Sequence, residues 1–262
     1  MSDNELLSRR SLAEDLARTA ASKILPHWND SPVASRTKTS ALDLVTDADI
    51  DSEVFILGEI KKAFPQDSLV AEETLSSDDM IGYTWAIDPL DGTSNFVQRI
   101  GHWCISIGLL YDGVSVAGAI YDPLLDQLFA AAKGHGATCN GSRLERRAVD
   151  LSRSTWAIGL SDTLPRSHLY EWNELIRPKV GRTRAMGSLA LDLAWTAAGR
   201  FDAFYYDCKL RPWDYGAGEV MCREMGLEVL HLQETPGRDA ALVALPVEWA
   251  AELAPQLKAV HG

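Results

Sequence analysis

Residues 85–96 read Trp-Ala-Ile-Asp-Pro-Leu-Asp-Gly-Thr-Ser-Asn-Phe, and this stretch decides the fold. The apolar segment 84–87 runs into Asp88, as a buried strand does when it delivers a side chain to a cleft at its carboxyl end. Asp91 follows three residues later, and Gly92-Thr93 then reads as a strand-to-helix junction. Because Asp-Gly is also an ordinary turn dipeptide, the interpretation depends on the rest of the chain.

Further carboxylates surround this stretch in the sequence. Glu72 and Glu73 end the preceding apolar segment, and Asp214 lies between two aromatic residues. The region before the apolar segment contains four more, Asp43, Asp47, Asp49 and Asp51. So many carboxylates at strand ends and helix starts repel one another unless cations bridge them. Carboxylate, carbonyl and water oxygens are the ligands that Mg²⁺ prefers. For Asp47 and Asp51 we favour a helix cap or a surface charge, since Asp is common in the first turn of a helix.

The composition predicts a soluble, cytoplasmic protein. The chain has 262 residues, 46% apolar and 24% charged, which suits one compact domain over residues 1–262 with two halves that meet near residue 140. No apolar run of about 18 residues predicts a membrane span, and the first residues do not have the order of a secretory signal. A net charge of −12 argues against nucleic-acid or membrane partners. Four scattered cysteines predict reduced thiols.

Hydrophobic periodicity predicts alternating helices and strands. A first helix over residues 5–25 is expected to end at Pro26, and a second is expected over residues 49–63. Strands are predicted at 68–71, 84–87, 104–110, 114–121, 127–132, 156–160 and 201–206, and further helices at 167–176, 188–198 and 215–225.

Four motifs resemble those of the inositol monophosphatase family. The signature is Asp88-Pro89-Leu90-Asp91-Gly92-Thr93-Ser94-Asn95-Phe96, and the other three, in the same order, are Asp43 to Asp49, Ala71-Glu72-Glu73 and Trp213 to Gly218. The resemblance spans Lys38 to about Gly226. It implies an α+β fold, the layered α-β-α-β-α sandwich of the inositol monophosphatase and fructose-1,6-bisphosphatase type. It also implies a homodimer that hydrolyses a small phosphate monoester with Mg²⁺ and is sensitive to lithium.

The resemblance also implies roles for individual residues. Glu72, Asp88 and the Leu90 carbonyl would hold a first Mg²⁺, Asp88, Asp91 and Asp214 a second, and Glu72 would border a third, weaker site. Two cations about 3.5–4 Å apart can clamp the attacking and leaving oxygens of an in-line displacement. Thr93, oriented by Asp49, would position or deprotonate the attacking water, and the Gly92 and Thr93 amides would bind phosphate oxygens. Glu73 would support Glu72, and Lys38 would help a loop to close.

The alcohol part of the substrate is less constrained by the motifs. By resemblance, Gly187, Ser188, Leu189, Asp207 and Asp91 would contact it. Inositol-type members commonly have Thr-Ala and Glu in place of Ser188-Leu189 and Asp207, whereas Asn95 favours the inositol and sugar phosphatase branch. The alternatives are histidinol phosphate, fructose 1,6-bisphosphate or phosphoadenosine phosphate as substrate, or a regulatory binding protein on the same fold.

Overall fold

The computed structural model describes residues 2–29, 35–37, 44–74, 80–160, 166–207, 210–233 and 240–260. The helices in these ranges are α1 Asp3–Asn29, α2 Asp47–Ala63, α3 Thr93–Val97, α4 Arg166–Leu175, α5 Leu189–Ala197, α6 Pro212–Glu224 and α7 Val247–Val260. None of them is long and apolar enough to cross a membrane.

The strands form a two-stranded pair and two larger sheets. They are β1 Ser35–Thr37, β2 Leu44–Thr46, β3 Ser68–Ala71, β4 Tyr83–Asp91, β5 Cys104–Tyr111, β6 Val114–Asp122, β7 Gln127–Ala132, β8 Ala137–Cys139, β9 Ser142–Arg143, β10 Thr155–Leu160, β11 Arg182–Arg184, β12 Ala203–Asp207, β13 Leu227–Gln233 and β14 Ala240–Pro246. Single 3₁₀ turns lie at Leu151–Arg153 and Arg177–Lys179.

Both larger sheets are mixed. The seven-stranded sheet has the order β3-β4-β5-β6-β7-β8-β9, in which only β3 and β4 run parallel. The five-stranded sheet has the order β11-β10-β12-β14-β13, with β10 parallel to β11 and β12. The chain passes from one sheet to the other between residues 144 and 154.

The helices form three layers around the two sheets. Helices α1 and α2 cover one face of the seven-stranded sheet, α5 and α6 lie between the sheets, and α4 and α7 cover the far side of the five-stranded sheet. Three apolar cores fill these interfaces, because each sheet buries both faces. The predicted α-β-α-β-α sandwich is confirmed. The single-domain organisation stays a prediction.

Helix α6 approaches the seven-stranded sheet very closely. A Cβ added at Gly108 of β5 would lie 2.7 Å from the Ala217 amide nitrogen, and one at Gly118 of β6 would lie 2.6 Å from the Ala217 Cα. Because Gly108 and Gly118 are paired residues on neighbouring strands, together they form a flat seat for the helix. This seat sets the distance between the sheet and Asp214 in the first turn of α6.

The prediction that Pro26 ends the first helix is wrong. Helix α1 continues to Asn29 with Pro26 inside it. A proline this close to the carboxyl end removes only one helical hydrogen bond, and tertiary packing compensates for it. The Trp28 ring lies 5.4 Å from that of Phe96 and 5.5 Å from that of Trp103, so the last turn is held against the core.

Two other helices begin earlier than predicted. Helix α2 begins at Asp47, because Thr46 and Asp49 form a reciprocal capping box. Helix α6 begins at Pro212, since proline suits the first position of a helix. Asp49 and Asp214 therefore lie inside first turns, and Asp47 and Asp51 are exposed on α2.

Candidate active site

A cluster of carboxylates lies where β3, β4 and α6 meet. Asp88 is buried near the end of β4, and the Glu72 carboxylate, just beyond β3, is within hydrogen-bonding reach of it. Burial raises the pKa of Asp88 well above its ordinary value, and the charges of Glu72, Asp91 and Asp214 raise it further. Acidic groups that raise one another's pKa in this way form a site of concentrated negative charge.

Asp214 shares this environment. Burial raises its pKa well above the ordinary value, and the charges of Glu72 and Asp91 add to the effect. The Arg211 amide, which donates to Asp214 Oδ2 at 2.6 Å, acts in the opposite direction. Glu72, Asp88, Asp91 and Asp214 therefore lie close enough for their charges to interact.

The donor chemistry of the cluster suits a hard cation. All the donors are carboxylate or carbonyl oxygens, the set that Mg²⁺ prefers, and repulsion among buried carboxylates is relieved when a cation binds. Across the described ranges, no three His, Cys, Asp or Glu side chains already surround a common point suited to a metal ion. Asp91 and Asp214 each direct an oxygen towards a backbone amide.

Asp91 connects the end of β4 to the start of α5. Its Oδ2 accepts hydrogen bonds from the Ser188 hydroxyl and from the Ala190 amide at 2.8 Å, and its Oδ1 accepts from the Leu189 amide at 3.2 Å. Asp91 thus caps the amino terminus of α5, although the two lie far apart in sequence. Burial raises the pKa of Asp91, and the Ser188 and Ala190 donors partly offset it.

Thr93 and Asp49 are in contact, as the resemblance implied. The Thr93 hydroxyl lies 3.2 Å from Asp49 Oδ1 and 3.0 Å from the Leu90 carbonyl oxygen. Asp49 is fully buried, and its Oδ2 accepts from the Thr46 amide at 2.9 Å and from the Thr46 hydroxyl. With a single hydrogen, the Thr93 hydroxyl donates to one acceptor at a time, so Asp49 and Leu90 compete for it.

Two glycines shape the loop around Thr93. Gly92 has φ +93°, and a Cβ there would lie 3.0 Å from the His102 carbonyl oxygen. Gly187 has φ +84°, and a Cβ there would lie 3.2 Å from the Asn95 amide nitrogen. That Asn95 nitrogen donates to the carbonyls of His102 at 2.7 Å and Met186 at 2.8 Å. Asn95 therefore ties the loop after β4 to the segment before α5.

The remaining predicted residues are placed as follows. Asp207 is buried at the end of β12, and Leu189 begins α5. The Glu73 amide donates to Glu53 Oε2 at 2.8 Å. Lys38 and Asp43 lie outside the described residues.

Two groups of residues near the site were missed in the sequence. Fully buried Glu53 binds the Glu73 amide and the Thr74 hydroxyl, and so fixes the turn that carries Glu72. The position of Glu53 on the buried face of α2, three and seven residues before Ile56 and Ile60, was a signal for this role. On the other side, His102 Nε2 lies 2.9 Å from Asp192 Oδ1.

Tyr206 donates to the other Asp192 oxygen at 2.9 Å. Asp192 is completely buried in α5, where the sequence reads Leu-Ala-Leu-Asp-Leu-Ala-Trp-Thr-Ala. A single carboxylate in such an apolar helix signals a buried polar network. Its partners could not be predicted, because they lie on other elements.

Fold and site together define a layered α+β protein with an acidic, oxygen-rich centre. Comparison with known proteins gives the family: the model of the inositol monophosphatase family matches residues 5–261, and the chain belongs to that family. It is 35% identical over 221 residues, 82% of each chain, to the Nus factor SuhB of Escherichia coli (strain K12). The same identity and coverage relate it to the inositol-1-monophosphatase of Bacillus subtilis (strain 168). The solved structure of the extragenic suppressor protein suhB from Bartonella henselae superposes with a TM-score of 0.86 at 31% identity, covering 96% of this chain and 98% of that one.

Proposed function

We propose that this chain is a magnesium-dependent phosphatase that hydrolyses a small phosphate monoester, with inositol monophosphate or a related polyol or sugar phosphate as substrate. The buried cluster of mutually repelling carboxylates around Asp88 carries the proposal. Glu72, Asp88 and the Leu90 carbonyl would hold one Mg²⁺, and Asp88, Asp91 and Asp214 a second, with Glu72 bordering a third. When bound, such ions would neutralise the phosphate oxygens and make a water more acidic.

The chain's own residues supply the path for the proton. A water that attacks phosphorus loses a proton as the bond from phosphorus to the alcohol oxygen breaks, and the departing oxygen takes up a proton from solvent water to give the free alcohol. The Thr93 oxygen can accept that proton while its own hydrogen passes to Asp49, 3.2 Å away. The two Thr46 donors hold Asp49 in place for this transfer.

Phosphate binding would use the backbone after β4. Helix α3 has only five residues, so its dipole is small. Phosphate oxygens would therefore be bound by hydrogen bonds from the Gly92 and Thr93 amides. A Cβ at Gly92, where φ is +93°, would lie 3.0 Å from the His102 carbonyl oxygen, so any other residue would strain the backbone that carries these amides.

Asp88→Asn tests the proposal. Loss of this bridging charge is expected to lower turnover about a thousandfold, equivalent to about 4 kcal/mol of transition-state stabilisation. Asp51→Asn, the same change at an exposed position of α2, is the matched control and should keep wild-type turnover. Phosphate release is measured with Mg²⁺, with EDTA, and after Mg²⁺ is restored. An active Asp88→Asn enzyme, or activity that persists in EDTA, would contradict the proposal.

Substrate choice is tested at the alcohol side. Inositol 1-phosphate, histidinol phosphate, fructose 1,6-bisphosphate and phosphoadenosine phosphate are compared by kcat/KM. Leu189→Ala combined with Asp207→Glu introduces two of the three residues common in inositol-type members and should raise the relative kcat/KM for inositol 1-phosphate. An unchanged ranking would mean that these positions do not select the substrate. Lithium inhibition and homodimer formation stay predictions, to be tested by an inhibition curve and by sedimentation.

A second candidate is a regulatory binding role on the same fold. It is favoured by one observation, that the E. coli relative is named a Nus factor. A partner captured equally by wild type and by inactive Asp88→Asn would support it. Capture that is lost with Asp88→Asn would tie binding to the catalytic site. Both roles can reside in one protein.

A further inference from the structure

One face of this acidic protein is basic. Residues 143–153 and 177–184 contain eight of the 25 Lys and Arg residues but only two of the 37 Asp and Glu residues. The two segments are neighbours, because a Cβ added at Gly181 would lie 2.7 Å from the Ser154 carbonyl oxygen and 2.8 Å from the Arg153 carbonyl carbon. Strand β11 is also paired with β10 there.

A cavity of about 940 Å³ opens in this face, within the size range of ligand sites. Three arginines line it, Arg147, Arg153 and Arg182, and all three are exposed. Within the part of the chain that the structure describes, none of these guanidinium groups forms a side-chain hydrogen bond or an ion pair. Five N–H donors on each arginine are therefore available to a ligand.

Three acidic residues also line the cavity, Asp150, Asp202 and Glu248. Asp202 Oδ2 already accepts the Thr155 amide at 2.7 Å. Glu248 lies in the first turn of α7, where the helix dipole favours a negative charge. These two carboxylates thus have stabilising interactions within the chain, whereas the three arginines do not.

We propose that this cavity binds a small anion that carries several phosphate groups, at a site separate from the catalytic one. Guanidinium groups pair with phosphate oxygens through two parallel hydrogen bonds, and a chain of phosphates can reach more than one arginine. The separation follows from the lining of the cavity, which includes none of the carboxylates proposed to hold Mg²⁺.

Calorimetric titration of inorganic tripolyphosphate into the full-length protein in EDTA tests the proposal. In chelator the catalytic cluster is acidic and repels the probe, so binding heat reports on the cavity. Wild type should bind one tripolyphosphate per chain, and inorganic phosphate should bind at least tenfold more weakly. Arg153→Gln combined with Arg182→Gln should weaken tripolyphosphate binding at least tenfold. Glu248→Gln should strengthen it, because it removes a negative charge from the cavity wall.

Arg184→Gln is the matched control, since Arg184 is exposed on the same strand as Arg182 and does not line the cavity. It should leave the affinity unchanged. Equal weakening by Arg184→Gln would reveal diffuse attraction to the basic face and overturn the proposal, as would a wild type that binds no tripolyphosphate. Circular dichroism confirms that the variants fold. If the arginine changes instead alter the molecular mass in solution and wild type binds no anion, the face is a contact between copies of the chain and the proposal fails.

Discussion

Gly108→Ala is expected to impair catalysis by moving α6, although Gly108 is not itself a site residue. The new Cβ would lie 2.7 Å from the Ala217 amide nitrogen and 2.7 Å from the Gly216 carbonyl carbon. Both are backbone atoms of α6, so no side-chain rotation relieves the contact. Ordinary contacts begin near 3.4 Å, and α6 must retreat by about 0.7 Å.

The expected cost can be divided between stability and rate. Overpacking of this kind lowers the free energy of unfolding by about 1–3 kcal/mol. Replacing glycine also reduces the conformational entropy of the unfolded chain, which raises the free energy of unfolding by about 0.4–1 kcal/mol. Because Asp214 lies two residues before Gly216, it moves with the helix, away from Asp88. A misplacement near 1 Å can cost about a hundredfold in rate, so a shift of about 0.7 Å should cost at least tenfold in kcat. The Mg²⁺ concentration for half-maximal activity should also rise.

The assay is phosphate release over a Mg²⁺ series, with urea unfolding measured in parallel. Gly58→Ala is the control, because nothing lies within 4 Å of a Cβ added at Gly58. Gly58 is exposed to solvent and lies away from both ends of α2. It should gain up to about 1 kcal/mol of stability and keep wild-type kcat and Mg²⁺ dependence. Gly108→Ala with kcat within twofold of wild type would refute the link between the glycine seat and Asp214.

Three further predictions concern buried polar groups. Arg9→Met should lower the free energy of unfolding by about 3–5 kcal/mol, because it leaves buried Asp67 without the guanidinium that binds both its oxygens; urea unfolding measures this, and turnover should be unchanged. His102→Leu should lower the free energy of unfolding by about 1–3 kcal/mol, because Asp192 loses a buried hydrogen bond. Thermal unfolding measures this, and an unchanged midpoint would contradict it. Burial raises the pKa of Glu219, but the hydrogen bonds and positive charges of His231 and Arg223 outweigh burial and hold the pKa below its ordinary value. Its carboxylate therefore stabilises the fold above about pH 4.5, and this effect is lost as the pH falls through the lowered pKa. The difference in unfolding free energy between wild type and Glu219→Gln should therefore shrink below about pH 4.5. A difference that stays constant with pH would contradict the prediction.

Patterns within short stretches of sequence predicted those helices and strands that are determined by neighbouring residues. The apolar run before Asp88 predicted a strand, and β4 extends through it from Tyr83 to Asp91. The spacing of Ile50, Val54, Leu57 and Ile60 predicted α2. Of these four residues only Ile60 is fully buried and Val54 is exposed, so the predicted helix is present but its buried face is rotated towards Ile56. The end of α1 could not be predicted in this way, because Trp28 holds it through contacts with rings distant in sequence.

The candidate site shows the same difference between features set by nearby residues and features set by contacts between distant elements. Motifs identified the carboxylates, and the structure brings Glu72, Asp88 and Asp214 together. The hydrogen bond from His102 to Asp192 and the contact of Glu53 with the turn after β3 depend on how separate elements pack. Periodicity gives the buried face of an element but not the partner that its polar residue meets, so these contacts require the fold itself.

Asp91 shows why reaction class and substrate choice are not independent in this chain. Its Oδ2 accepts from the Ser188 hydroxyl and from the Ala190 and Leu191 amides, whereas its Oδ1 accepts from the Leu189 amide at 3.2 Å. Because each carboxylate oxygen has about two acceptor positions, Oδ1 can also bind a cation. The donors that offset its raised pKa favour the charged form that a cation needs. The segment from Ser188 to Leu189, proposed to contact the alcohol, is held by the same carboxylate. Loss of Asp91 would therefore disturb the proposed metal site and the proposed alcohol pocket together, whereas Leu189 and Asp207 can vary without removing a proposed ligand.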